Sequence, residues 1–142
     1  EGLGYQLNPK EHVVPILADC VRKGNSFVLN GEDYDTVDGT TVRDYTHVYD
    51  VALAHVSALN YLFDGGNSEV FNIGGGSPKS VCELITEFES QANDVIDVIA
   101  SNRRLGDTAT THADISKAKE LLGWEPALGL QEIVESELKM PK

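Results

Sequence analysis

Positive charge is scarce in this 142-residue chain: 11 lysines and arginines face 23 aspartates and glutamates, giving a formal net charge of −12. A field of that sign excludes nonspecific binding to nucleic acid or to an anionic membrane, since both need a basic surface. It also repels any anionic small molecule, which then requires a locally positive site. Cysteine is nearly absent. Cys20 and Cys82 lie far apart, without Cys-x-x-Cys or Cys/His ligand spacing, and so read as reduced thiols of a cytoplasmic protein rather than a disulfide framework. No apolar run reaches the roughly 18 residues that a membrane-spanning helix needs. Glu1-Gly2-Leu3-Gly4 is not a signal peptide, and the lack of an initial methionine suggests a piece of a longer protein.

What is present is material for a folded domain: 41% apolar residues in about the usual length of one domain, roughly 100–150 residues. Five helical patterns alternate with short β-like runs. Glu11 to Lys23 carries a stripe of Val13, Val14, Ile16, Leu17, Cys20 and Val21, with Pro15 in its first turn and Gly24 at its end. Phe27-Val28-Leu29 reads as a strand, Asn30 to Thr40 as a polar, turn-rich stretch, and Thr41 to Val48 as extended. Asp50 is placed to cap a second helix whose apolar stripe is Ala52, His55, Val56, Leu59 and Leu62, closing at Gly65-Gly66.

Val70 to Ile73 reads as another strand, and Ser80 with Glu83 as a capping box for a helix striped by Val81, Leu84, Ile85 and Phe88. Val95 to Ile99 is a strand by β-branched content. Asp114 is placed to cap a short helix with Ile115, Ala118, Leu121 and Leu122 that stops at Gly123, and Leu130, Ile133, Val134 and Leu138 stripe the last. The expected fold class is mixed α/β: a small mixed sheet with about five helices, in one piece.

Familiar site motifs mostly fail. Gly74-Gly75-Gly76 lies between a strand and a helix, where a phosphate cradle would be, but fits neither the P-loop nor G-x-G-x-x-G, and a tight turn is the simpler reading. Asp97 follows at about the spacing of a ribose-binding acid but falls inside its strand. Asp33, Asp35 and Asp38-Gly39 hint at a calcium loop, yet Asp38 stands where the EF-hand glycine belongs. The four histidines have no metal spacing, and His55, on a helix stripe, is expected in the core. No G-x-S-x-G elbow occurs.

The arginines carry more. Arg22 sits on a helix beside Lys23, where a solvated face suffices; Arg43 lies in an extended run, and Arg103 and Arg104 follow a strand. Strand ends and loops are where domains present ligand-binding groups, and a guanidinium pairs two phosphate oxygens at once. Arg43 and the Arg103-Arg104 pair therefore read either as a diphosphate site or as ordinary ion pairs with Asp44 and Asp107.

A longer pattern joins these residues. Gly31-Glu32-Asp33-Tyr34-Asp35-Thr36-Val37-Asp38-Gly39-Thr40, continuing through Thr41 into Val42-Arg43-Asp44-Tyr45-Thr46-His47-Val48, resembles the signature of the UDP-glucose 4-epimerases, within the extended short-chain dehydrogenase class. His12 to Pro15, Val70 to Gly74, Arg103 to Asp107, Asp114 to Ala118 and Leu122 to Trp124 match in the same order. The resemblance runs from about Asn8 to Val134.

It implies a two-domain enzyme interconverting UDP-galactose and UDP-glucose, in which a tightly held NAD takes and returns a hydride at C4 of the hexose and the tyrosine of a Tyr-x-x-x-Lys pair is the base. Tyr5, Tyr34, Tyr45, Tyr49 and Tyr61 are never followed four residues on by lysine, and no dinucleotide fingerprint occurs. Residues 1–142 thus resemble the C-terminal substrate-binding domain, with the N-terminal Rossmann NAD domain absent, no catalytic residue and no NAD expected on this stretch. The resemblance implies that Arg43 and Arg104 hold the diphosphate and Asp107 a ribose hydroxyl, with Val13 beside the nucleotide. Val28, Leu29 and Asn30 would line the uracil site, Asn30 by hydrogen bonding.

It also places Thr111 beside the sugar, where its small size leaves room for a 2-acetamido group, and assigns Tyr45 to supporting the arginine. A homodimer is implied for the full-length enzyme. Two other readings remain at this stage: a non-catalytic nucleotide-sugar-binding module, and an α/β interaction domain without a small ligand.

Overall fold

The computed structural model describes residues 12–140, so the expected helix start at Glu11 lies outside the described residues. The elements are α1 (Val13–Lys23), β1 (Phe27–Asn30), β2 (Val42–Arg43), α2 (Val48–Phe63), β3 (Lys79–Ser80), α3 (Val81–Ala92), β4 (Val98–Ser101), β5 (Thr110–Thr111), α4 (Ser116–Leu122) and α5 (Leu130–Lys139). The mixed α/β class and the five helices stand as expected, with the strands divided between two small sheets. One is the parallel pair β1–β4, with Phe27 opposite Val98 and Asn30 opposite Ser101. In the other, β2 is central, antiparallel to β3 and parallel to β5.

The larger core lies where α1, α3 and α5 meet against β1. Leu17, Leu84, Phe88 and Val134 are fully buried there, with Phe27 and Leu29 beneath them. The apolar stripes expected for these three helices are the ones that pack. Gly24 ends α1 in the left-handed region, with its N–H bonded to the Cys20 carbonyl. The capping box of α3 is complete: the Ser80 hydroxyl accepts from Glu83 N, and the Glu83 carboxylate accepts from Ser80 N.

Arg22 is not simply solvated. Its guanidinium donates to the backbone carbonyls of Glu137 and Met140 and so ties α1 to the end of α5.

A smaller core lies between α2 and α4, built on Ala54, Ala118 and Trp124 with Phe71, Ile73, Ile115 and Leu122 against it. Here several expectations change. His47, not Asp50, caps α2: its ring accepts from Tyr49 N. Asp50 is 1% exposed, and its Oδ2 accepts from Ala127 N at 3.2 Å and Leu128 N at 2.9 Å, fastening the segment before α5 to the start of α2. The expected α2 stripe of Ala52, His55, Val56, Leu59 and Leu62 is exposed, because the opposite side, with Asp50 and Ala54, faces α4. His55 is thus a surface residue bonded to its own helix through the Val51 carbonyl.

Val70–Ile73 joins no sheet among the described residues. Asp114 accepts from the N–H and hydroxyl of Ser116, holding the first turn of α4 from one position before the cap. The strand expected at Val95–Ile99 starts three residues later and ends two later, because pairing with β1 selects Val98–Ser101 while Ile96 turns into the core. Asp97 precedes it and accepts from the Ser26 hydroxyl at 2.6 Å, a contact that anchors the start of β1.

Candidate functional site

The turn-rich stretch after β1 folds because its short polar side chains replace a regular ladder. Asp38 Oδ1 accepts from the N–H and hydroxyl of Thr40, its Oδ2 accepts from the Ser80 hydroxyl, and Thr36 donates to the Thr40 carbonyl. Burial raises the Asp38 pKa, and these bonds outweigh it and hold the carboxyl below its ordinary value. Gly39, at φ +78°, is needed here: a Cβ would lie 2.2 Å from the Glu32 carbonyl oxygen. The network fixes Thr40 and Thr41, and through them the start of β2, which carries Arg43.

The same stretch buries Tyr34, and the Arg103 guanidinium lies 4.4 Å from the centre of its ring. Arg103 also pairs with Asp33 at 2.7 Å. That leaves its neighbour as the uncommitted cation: Arg104 is exposed, and its side chain has no hydrogen bond or ion pair among the described residues. Arg43 is held in place by donating to the carbonyls of Val42 and Thr108, both at 2.9 Å, and its second terminal nitrogen lies 3.5 Å from Asp107. The ion pair with Asp107 is real, and that with Asp44 is not formed.

Arg43, Arg104 and Asp107 border one cavity of ≈ 490 Å³. Val13 and Ile16 of α1 form one wall, Val28, Leu29 and Asn30 of β1 the floor, and Arg43, Arg104 and Asp107 the charged rim. Of the eight candidate site residues, Val13, Val28, Leu29, Asn30, Arg43, Arg104 and Asp107 meet here, although they span almost a hundred positions of the chain. Thr111 lies apart. It lines a second, more open hollow of ≈ 430 Å³ with Asn72, His112 and Asp114, and Arg43 borders both.

Ile16 was missed in the sequence, although helical spacing from Val13 points to it. Tyr45 also lines the main cavity. Its hydroxyl is buried without a hydrogen-bond partner, and burial pushes its pKa up to about 12 against the opposing pull of Arg43. Its phenol is therefore neutral at ordinary pH.

Two carboxylates of the same stretch serve the scaffold. Asp44 accepts from Gly75 N at 2.8 Å and Ala113 N at 3.0 Å. A Cβ on Gly74 would lie 2.1 Å from Asp44 Oδ2, and one on Gly75 2.1 Å from the Tyr45 carbonyl oxygen. The triple-glycine loop is thus closed by the protein's own carboxylate and does not fit the pyrophosphate of a dinucleotide. Among the described residues no three His, Cys, Asp or Glu side chains group as metal ligands would. No described helix is long and apolar enough to cross a membrane.

The profile of the family described as GDP-mannose 4,6 dehydratase matches residues 6–137. The UDP-glucose 4-epimerase of Rhizobium meliloti (strain 1021) is 42% identical over 135 residues, covering 94% of this chain and 41% of that protein. Among solved structures, the UDP-glucose 4-epimerase of Stenotrophomonas maltophila, with bound NAD and formylated UDP-arabinopyranose, superposes with a TM-score of 0.91 at 37% identity, over 95% of this chain and 40% of that one. The Bifidobacterium longum enzyme, in complex with NAD+ and UDP, does so at 0.83 with 38% identity, over 89% of this chain and 38% of that one. The chain therefore spans about two fifths of the length of the relatives it matches.

Proposed function

The chain belongs to the GDP-mannose 4,6-dehydratase family, and from that premise we propose that it is the UDP-hexose-binding part of an NAD-dependent UDP-glucose 4-epimerase. The observation that carries this reading is the convergence of Arg43, Arg104 and Asp107 on the cavity floored by Val28, Leu29 and Asn30. In a chain of net charge −12, these two arginines give the cavity rim the positive potential that a diphosphate requires. The uracil lies over β1 with Asn30 as a hydrogen-bonding partner, the diphosphate bridges Arg43 and Arg104, and Asp107 turns to a ribose hydroxyl.

The hexose extends past Arg43 toward the Thr111 hollow, where a small side chain leaves room for a 2-acetamido group. The NAD of such an enzyme is held by residues other than those described, as is the Tyr-x-x-x-Lys base. Residues 1–142 alone interconvert no UDP-sugars. Within this reading, a non-catalytic nucleotide-sugar-binding module differs only in what accompanies the cavity.

Calorimetric titration with UDP tests the site. Arg104→Ala and Arg43→Ala each remove a charge-assisted contact of roughly 1.5–3 kcal/mol, a loss of about ten- to a hundredfold in affinity. Unchanged UDP affinity in both variants, or no binding by the unaltered chain at millimolar UDP, overturns the assignment.

A further inference from the structure

One pair of strands joins the main cavity to the Thr111 hollow. The central β2 and the edge strand β5 run parallel, with Val42 opposite Thr110 and Arg43 opposite Thr111. Val42 N donates to the Ala109 carbonyl at 2.8 Å, which fixes the entry to β5. Thr108, one position earlier, reaches both ways. Its carbonyl accepts from Arg43 Nη1 at 2.9 Å, and its hydroxyl lies 2.7 Å from that of Thr111.

These two contacts serve different ends of the site. Arg43 Nη1 is shared between the carbonyls of Val42 and Thr108, which leaves Nη2 to Asp107 and to a ligand. Thr111 borders the hollow beyond Arg43, whereas Thr108 lines neither the hollow nor the main cavity. Two hydroxyls carry two protons, and only one of these lies between them. The other stays available to a ligand, on an oxygen that no longer rotates freely. Holding a group in its bound geometry beforehand removes an ordering cost from binding. Neither threonine side chain makes another hydrogen bond among the described residues, so each depends on the other for its orientation.

We propose that Thr108 is a positioning residue: its hydroxyl fixes Thr111 against the hexose while its carbonyl fixes Arg43 against the diphosphate. The inference rests on the UDP-hexose reading and adds to it a side chain outside the contact surface. Preference for the sugar nucleotide over the bare nucleotide is then set in part by the Thr108 hydroxyl, acting through Thr111.

The test compares UDP with UDP-glucose in calorimetric titrations of the chain and its variants. Thr108→Val removes the hydroxyl and keeps the carbonyl and the size of the side chain. Affinity for UDP-glucose relative to UDP should fall about two- to tenfold, and Thr108→Ser should restore it. Thr108→Val combined with Thr111→Val should lose no more than Thr111→Val alone, because Thr108 acts through Thr111. Without ligand, three-bond couplings to the labelled Thr111 methyl should report one rotamer in the unaltered chain and in Thr108→Ser, and averaging in Thr108→Val. An unchanged relative affinity in Thr108→Val, no rescue by Thr108→Ser, or a Thr111 side chain that already averages in the unaltered chain overturns the inference. Any of these leaves UDP binding, and with it the nucleotide cavity, standing. A chain that binds no UDP overturns both.

Discussion

Phe88 and Phe63 are both helical phenylalanines, the first with no exposed surface and the second 84% exposed. They belong to two cores of different completeness. Around Phe88, three helices bring their apolar stripes together over β1, and the edge of that packing shapes the main cavity. Around α2, one side of the helix is packed on Trp124 and Ala118, while the richer apolar side has no cover among the described residues. An apolar stripe therefore identifies a surface that must be buried, but not by whom.

Substitutions in the two regions break or sharpen this contrast. The largest effect is expected of Phe88→Ala, which opens a cavity in the complete core and should cost about 3–5 kcal/mol in urea unfolding. Asp50→Ala strips the smaller core of its polar clasp and leaves the Ala127 and Leu128 N–H groups without their acceptor. A loss of about 2–3 kcal/mol is expected, and a loss as large as that of Phe88→Ala would mean that the two regions are equally complete. Phe63→Ser should change the stability of the chain alone by no more than about 0.5 kcal/mol. A drop of several kcal/mol would show that its ring is already packed.

The smallest effect at neutral pH concerns Tyr45. Its folded pKa, about 12, lies above the ordinary phenol value of about 10, so its contribution is complete below pH 10 and is lost as pH rises through 12. Ultraviolet titration should show one phenol ionising near 12 that disappears in Tyr45→Phe.

The complete core was largely legible in the sequence, because its helices bury single stripes with local stop signals: Gly24 after α1, and Ser80 with Glu83 before α3. Seven of the eight candidate site residues lie on one cavity, reached through motif order and not through spacing. What was not legible depends on distant partners. Val70–Ile73 has the composition of a strand, but a strand exists only where another pairs with it. Arg22 resembles a surface residue until the end of α5, more than a hundred positions away, offers it two carbonyls. Asp50 sits where a cap would be, while the N–H groups it serves precede α5. The sequence pattern from Gly31 to Thr40, which most clearly carries the epimerase resemblance, proves to be largely a scaffold for Arg43, with Asp38 at its centre.

The contact between Arg43 and Asp107 bears on how fast a ligand can arrive. A carboxylate already shares the guanidinium at 3.5 Å, so a diphosphate binding as proposed would exchange with it, against the repulsion of a chain of net charge −12. Added salt then acts in two directions: it screens the approach and speeds encounter, and it weakens the charge-assisted contacts and speeds departure. The equilibrium constant blurs these opposing changes, whereas the association and dissociation rates keep them apart.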